Sequence, residues 1–468
     1  MVQNVGRGVG RALTLVALVL FAAVAPLLPT NDQKVRVTMA AAVVLLGATY
    51  LRVRIKEPFG RSPLDFPALT FLGVAVLATI VSVDPFISFF PSKGRGEGLV
   101  VYIPYIMMAL AAARLGRREI DGVVSAVLIS GSLIGGIAIA QYYGLDVIRM
   151  LGYRPGSLAE FVGLAVNPQA GAEAPPFFRT RSYGTLGNPV FLGGYVSLLL
   201  PVAVALAVQS SGPRWWAYAA LSALLYGALV ASQTRAAWVA SATGGLLLLG
   251  WAIRSRTGWR RLTALAAIFA AVTMIMALTR PDAPLSQRAA ATVDLSDESL
   301  GQRLYLWKHT LPLIAQRPIL GWGFSTLMGV FPDMGSPEYL RVFGPTLMLI
   351  DTPHNEALHI AFSTGLAGLA AYSWVWAAIA ACLYAALRRG TTRPRLDGAL
   401  LAGLAAYLVW LQLAWNHIGP ANIFWTFAGV AGALARQAVT TGRAADQGDR
   451  RVPPVSPGEL VMPGLRGP

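Results

Sequence analysis

The sequence predicts an all-α integral membrane protein of about twelve transmembrane helices. Three observations carry this. Of 468 residues, 55% are hydrophobic and 13% charged, with a mean hydropathy of +0.56, where a soluble domain carries about 25% charged residues. Apolar runs of about 20 residues, the length a bilayer-spanning helix needs, recur along the whole chain. With the N-terminus inside, 23 of the 38 Lys and Arg fall on the inner side, together with 8 of the 22 acidic residues. That asymmetry orients every loop consistently, and it assigns the net charge of +16 to topology rather than to nucleic acid.

In order, spans are expected at 12–29, 35–51, 65–83, 98–113, 122–141, 187–208, 215–232, 236–253, 262–279, 355–387, 398–416 and 420–437. The first reads as a retained helix and not a cleaved signal peptide, since similar segments follow at once and no A-x-A site is evident. Residues 1–279 thus hold nine spans with short outer loops. Residues 280–353 form one large extracytoplasmic loop, 354–438 the last three spans, and 439–468 a polar, Pro/Gly-rich cytoplasmic tail expected to be disordered. The single cysteine, Cys382, lies inside a span and allows no intramolecular disulfide. No Cys/His cluster has metal-ligand spacing, so neither metal nor cofactor is expected.

The outer segments 84–97, 142–186 and 280–353 are where chemistry is expected, since 280–353 is far longer than a connection requires. Within it, "SLGQRLYLWKHTLPLIAQRP" places Leu304, Trp307, Leu311 and Ile314 at helical spacing. This predicts an amphipathic helix after Gly301 and before Pro318, kinked at Pro312.

His354 follows Pro353, a residue suited to a first helical turn, so it is expected at the N-terminus of the tenth span. The positive end of a helix dipole disfavours its protonation there and leaves a neutral imidazole able to act as general base; helix capping is the plainer alternative. Arg235 sits between two apolar helices with almost no loop around it, at an outer end where the positive-inside rule does not explain it. It reads either as a snorkelling side chain or as an anion site, because guanidinium grips phosphate oxygens bidentately. Arg303 lies at the edge of the loop helix's apolar face, from which it could turn inward. Arg179, Arg181, Lys93 and Arg95 populate the same outer side, beside Asn188-Pro189 at the start of the sixth span. Several cations converging there would suit a diphosphate. Asp294, Asp297 and Glu298 read as N-terminal dressing of the loop helix, His359 as packing, and His417 as turn capping.

These residues lie in motifs that resemble the O-antigen ligase/polymerase superfamily, polytopic glycosyltransferases of the bacterial envelope. "SQTRAAWVA" resembles the family's arginine at the end of a mid-chain helix. "GQRLYLWKHTLPLIAQRPILGWGFSTL" fits R-x(3)-W followed by P-x-x-G-x-G, and "HNEALHIAFSTGLAGL" fits H-N-x-x-L-x(6)-G-x-x-G. "GTLGNPVFLGGYV" resembles the G-N-P-N region, with Val190 where a polar residue is common, and "SKGRGEGL" resembles an early outer loop. The likeness runs from about 90 to 370 in the family's order. It implies a GT-C-like bundle in the bacterial inner membrane, facing outward, that transfers glycan from a polyprenyl-diphosphate donor to a lipid or glycan acceptor, inverting and without metal. His354 would be the base, and Arg235 and Arg303 would hold the diphosphate. Asn355, Arg181, Asn188 and Arg95 would be further substrate contacts. Ligase, polymerase and protein O-oligosaccharyltransferase activities share this donor chemistry, and ligase is the reading favoured by topology and loop size. A secondary transporter is the alternative of another class; it predicts symmetric halves and helices broken near the midplane. Gly365 and Gly368 are expected to serve tight helix packing only.

Overall fold

A computed structural model of the chain describes residues 2–57, 60–90, 96–153, 181–283, 285–290, 292, 298–332, 335–343, 350–388 and 394–449. Among these residues every regular element is helical. The first half comprises α1 (Val2–Val19, continued by a π-turn and a 3₁₀ turn to Leu27), α2 (Asn31–Arg54), α3 (Asp65–Ile80), α4 (Pro85–Phe89), α5 (Leu99–Ala112), α6 (Arg117–Tyr142) and α7 (Val147–Met150). Then come α8 (Pro189–Gln209), α9 (Pro213–Ser232), α10 (Arg235–Ala252) and α11 (Arg256–Thr279). The long loop after α11 contributes α12 (Leu285–Ala290), α13 (Glu298–Gln316), α14 (Leu327–Val330) and α15 (Pro337–Phe343). The last three are α16 (Glu356–Arg388), α17 (Pro394–Leu411) and α18 (Pro420–Asp449).

Among the described residues, seven helices are long and apolar enough to cross a membrane, against the twelve spans expected: Val5–Leu27, α2, α6, α8, α9, α11 and α16. The apolar helices α3, α5 and Leu396–Leu411 are shorter. The last helix, expected to end near 438, continues to Asp449.

Helix α8 is apolar on every side, as a helix enclosed by others must be, and nearly all its residues are buried. Its Gly193-Gly194 pair allows this enclosure. A Cβ on Gly194 would sit 2.4 Å from the Trp410 ring of α17, and one on Gly193 2.8 Å from Ala237 Cβ of α10.

Helix α16 is broken. Gly365 adopts φ 69°, ψ −175°, so the helix divides there into two segments. The break is filled by the loop after α13. Trp322 N donates to Phe362 O (2.9 Å) and Gly323 N to Ser363 O (3.0 Å). In return Leu366 N donates to Pro318 O (2.7 Å) and Ala367 N to Ile319 O (3.3 Å). Backbone groups freed by a break inside the packed bundle must find partners within the protein, and the P-x-x-G-x-G segment supplies them. Gly365 is therefore a backbone hinge rather than the ordinary packing glycine its sequence context suggests. The segment after α3 completes the clamp: Ser82 Oγ donates to Trp322 O (2.8 Å) and Ser88 Oγ to Phe324 O (3.1 Å).

Helix α13 is present as expected, but only half of its expected face is turned inward: Ile314 is buried and Trp307 packs against the same cluster. Leu304 and Leu311 are 52% and 55% exposed. The inward stripe is Tyr305, Leu306, Thr310, Leu313 and Ile314, covered by Phe331, Tyr339 and Phe343 and resting on Ala361 and Phe362 of α16. Two adjacent stripes of this helix are apolar, and the aromatic residues of α15 select the second. Pro312 does not end the helix, which runs on to Gln316. Pro312 lies on the exposed side, where water can solvate the carbonyl its ring leaves unpaired.

Candidate active site

Arg235 is presented by a tight turn. Gln233 ends α9 in the left-handed conformation (φ 49°), Thr234 is the N-cap, and Arg235 is the first residue of α10. Arg181 braces this turn through Nε to the Ser232 carbonyl (3.1 Å) and Nη2 to Thr234 Oγ1 (3.1 Å). Thr234 Oγ1 in turn donates to Pro189 O at the start of α8 (2.9 Å), where Asn188 Oδ1 caps the helix by accepting from Val190 N (2.8 Å).

Four arginines gather here. Burial first, and then the charges of Arg288, Arg235 and Arg303, push the Arg181 guanidinium down to about 9. It remains charged at neutral pH, in a field that an anion would relieve. Arg288 comes from α12, and Arg303 from the second turn of α13. As expected, Arg303 turns inward: its Nε donates to Leu413 O (3.3 Å) beyond α17, and its Nη1 to Ser299 Oγ (2.6 Å).

His354 adjoins this group but lies outside helix α16. It has φ 51° and precedes the N-cap, which is Asn355: Asn355 Oδ1 accepts from Leu358 N (3.0 Å) and its Nδ2 donates to Gln412 O (2.9 Å). The expected helix start thus shifts by two residues, and the asparagine takes the capping role. Trp307 Nε1 donates to the Pro353 carbonyl (2.9 Å), which pins the peptide carrying His354 to the loop helix. The His354 ring stands edge-on to Trp415 (centroids 4.7 Å apart, 81°), and Trp415 Nε1 donates to Glu97 Oε1 (2.6 Å). Burial, opposed by Asp351 and reinforced by Arg303, holds the His354 imidazole down at about 4. The neutral state expected from a helix dipole is therefore produced by desolvation and a neighbouring arginine.

Beside the arginines, a mostly apolar cavity of about 510 Å³ runs between α8, α9, α10 and α11. Leu285 and Ala289 of α12 close one end next to Arg288, and Trp238, Phe269 and Leu248 line its length.

Arg181, Arg235, Arg303, His354, Asn355 and Asn188 thus lie in this region. Arg95, Arg179 and Lys93 lie outside the described residues, as do Asp294 and Asp297. His359 is buried in α16, and His417 stacks on Phe191 (3.7 Å). Glu97, Trp415, Asp351 and Arg288 are not among the residues the sequence marks, and Trp307 is marked there only as part of an apolar face and a motif. Glu97 and Trp415 each sit in a stretch notable for other residues, and only their convergence in space gives them a role. Replacing Trp415 with alanine is expected to unfasten His354. Any reaction that uses His354 as its base should then fall by roughly 10²-fold, as a small misplacement of such a group can cause. The acid limb of its pH profile should also move up toward the ordinary histidine range, a shift that a purely structural tryptophan would not produce.

The O-antigen ligase family model matches residues 219–373, a segment that contains Arg235, Arg288, Arg303 and His354. No curated protein matches the chain. The segment 219–373 thus matches the O-antigen ligase family, and the structure brings its arginines and histidine to one end of an all-helical membrane bundle.

Proposed function

We propose that this chain is a glycan ligase that acts on the outer face of the bacterial inner membrane through a bundle of twelve spans. It moves a glycan from a polyprenyl-diphosphate donor to an envelope acceptor such as lipid A-core. The observation that supports this best is the juxtaposition of three features: a cluster of arginines, a neutral His354 and an apolar cavity beside them. A polyprenyl diphosphate has the matching parts, a chain for the cavity and a polyanion for the arginines.

In this reading the acceptor hydroxyl gives its proton to the His354 imidazole as its oxygen attacks the anomeric carbon. The bond from that carbon to the diphosphate oxygen breaks on the opposite face, which inverts the configuration. The departing electron pair stays on the diphosphate, whose charge Arg235, Arg303 and Arg181 take up. These cations fill the role a metal would otherwise have, so transfer should be unaffected by EDTA.

The test is donor binding without turnover. Polyprenyl diphosphate added to purified protein should raise the unfolding temperature, and Arg235→Ala and Arg303→Ala should each weaken the apparent Kd at least about tenfold, or 1.4 kcal/mol. Equal affinity in wild type and both variants would remove the diphosphate from this site.

A further inference from the structure

We propose that the cavity at the far end of the bundle from His354 binds an anionic phospholipid. Helices α2, α5, α16 and α18 all begin near His354, at Asn31, Leu99, Glu356 and Pro420. Their opposite ends surround a cavity of about 1140 Å³. Six arginines line it: Arg11, Arg52, Arg61, Arg114, Arg117 and Arg436. The acidic side chains in its lining are Glu57 and Glu119, and both are engaged. Glu57 pairs with Arg52 (3.1 Å) and more distantly with Arg11 (3.9 Å), while Glu119 Oε2 accepts from Gly116 N (2.6 Å). Arg114 is neutralised from behind by a bidentate pair with Asp65 (2.9 and 2.8 Å). By composition, six guanidinium groups line the cavity against two carboxylates.

Its geometry is built and not incidental. Arg436 donates to the Ala113 carbonyl (2.8 Å), and the loop after α2 folds over it at Gly60, where a Cβ would lie 2.6 Å from Arg436 Nη2. The remaining wall is apolar, with Ala111, Ala381, Cys382 and Ala433. A soluble anion has no use for that wall. A phospholipid does: its phosphodiester meets the guanidinium groups while the start of an acyl chain lies along the alanines. The volume exceeds the roughly 300–1,000 Å³ of ordinary small-molecule pockets. On the positive-inside orientation this end faces the cytoplasmic leaflet, where anionic lipid attracts basic residues.

The experiment uses the full chain in detergent and needs no transfer activity. Phosphatidylglycerol should raise the unfolding temperature by about 2 °C or more beyond phosphatidylcholine. Arg61→Gln with Arg117→Gln should remove more than half of that difference, whereas Arg254→Gln with Arg256→Gln, basic positions away from the cavity, should keep it. Inorganic phosphate at the same concentration should give no shift. Equal effects of the two lipids, an unchanged effect in the Arg61/Arg117 variant, or full replacement by phosphate would each overturn the proposal. Should that variant fail to fold, a photo-crosslinking phosphatidylglycerol on wild type decides: labelling at 111–117 and 433–439 supports the site, and labelling elsewhere excludes it.

Discussion

Replacing His354 with alanine is expected to lower glycan transfer by about 10²–10⁴-fold, the usual contribution of a positioned base, while donor affinity changes only a few-fold. The pH profile gives a sharper form of this prediction. With its imidazole held at about 4, His354 is neutral and competent throughout the neutral range. Transfer by wild type should therefore stay level from about pH 8 to pH 5 and fall tenfold per unit only below about 4. The linkage to stability has a definite sign. The unfolded chain, with an ordinary histidine near 6.5, binds more protons than the folded one between the two values, so stability falls as pH drops through that window. An acid limb centred near 6.5 would mean that His354 is solvated, and the account of its burial against Trp415 would be wrong.

Gly365→Ala should be among the most damaging substitutions to folding in the chain. The position needs φ 69°, ψ −175°, a region essentially closed to residues with a side chain, at about 1–3 kcal/mol. The added Cβ would also lie 2.1 Å from the Ile319 carbonyl oxygen and 2.2 Å from its carbon. Backbone cannot yield there without breaking the four hydrogen bonds that join the halves of α16 to Pro318–Gly323, each worth about 1 kcal/mol. The expected result is a protein that does not purify as a single species, or one whose unfolding temperature falls by well over 10 °C. Gly323→Ala should behave similarly, since its Cβ would meet Ser82 Oγ at 2.0 Å and Ser88 Oγ at 2.3 Å. A Gly365→Ala protein within 2 °C of wild type would show that the clamp does not hold the fold.

The helices were legible because apolar runs of membrane length leave little room for another reading, and each expected span contains a helix. Arg235 and His354 stood out for a related reason, since a charge or imidazole at the end of an apolar helix is costly; Arg303 stood out only through its place at the edge of the loop helix's apolar face and the R-x(3)-W motif it shares. What the sequence concealed depends on contacts between distant segments. The inward face of α13 is chosen by Tyr339 and Phe343, some 30 residues on, so local periodicity cannot rank two apolar stripes. The break at Gly365 is invisible in composition, because a glycine in a membrane helix normally means close packing; only the loop's donors and acceptors turn it into a hinge. Trp415 and Glu97 are over 300 residues apart, and neither signals a role until both are seen beside His354. The break also bears on the transporter alternative. A helix interrupted in α16 is a feature such a fold would share, but here the gap is filled by hydrogen bonds to the loop after α13 instead of opening on a central substrate site.

The most direct measurement is transfer itself. Purified protein in liposomes would receive a polyprenyl-diphosphate glycan from the host and three acceptors: lipid A-core, a second lipid-linked glycan and a protein. Products would be separated by mass, with His354→Ala and Arg235→Ala run in parallel after their folding is verified. The account predicts glycan on lipid A-core or an equivalent envelope acceptor in wild type, inverted at the anomeric carbon, and little or none in either variant. Folded variants that match wild type, or a wild type inactive with genuine host donor, would contradict it.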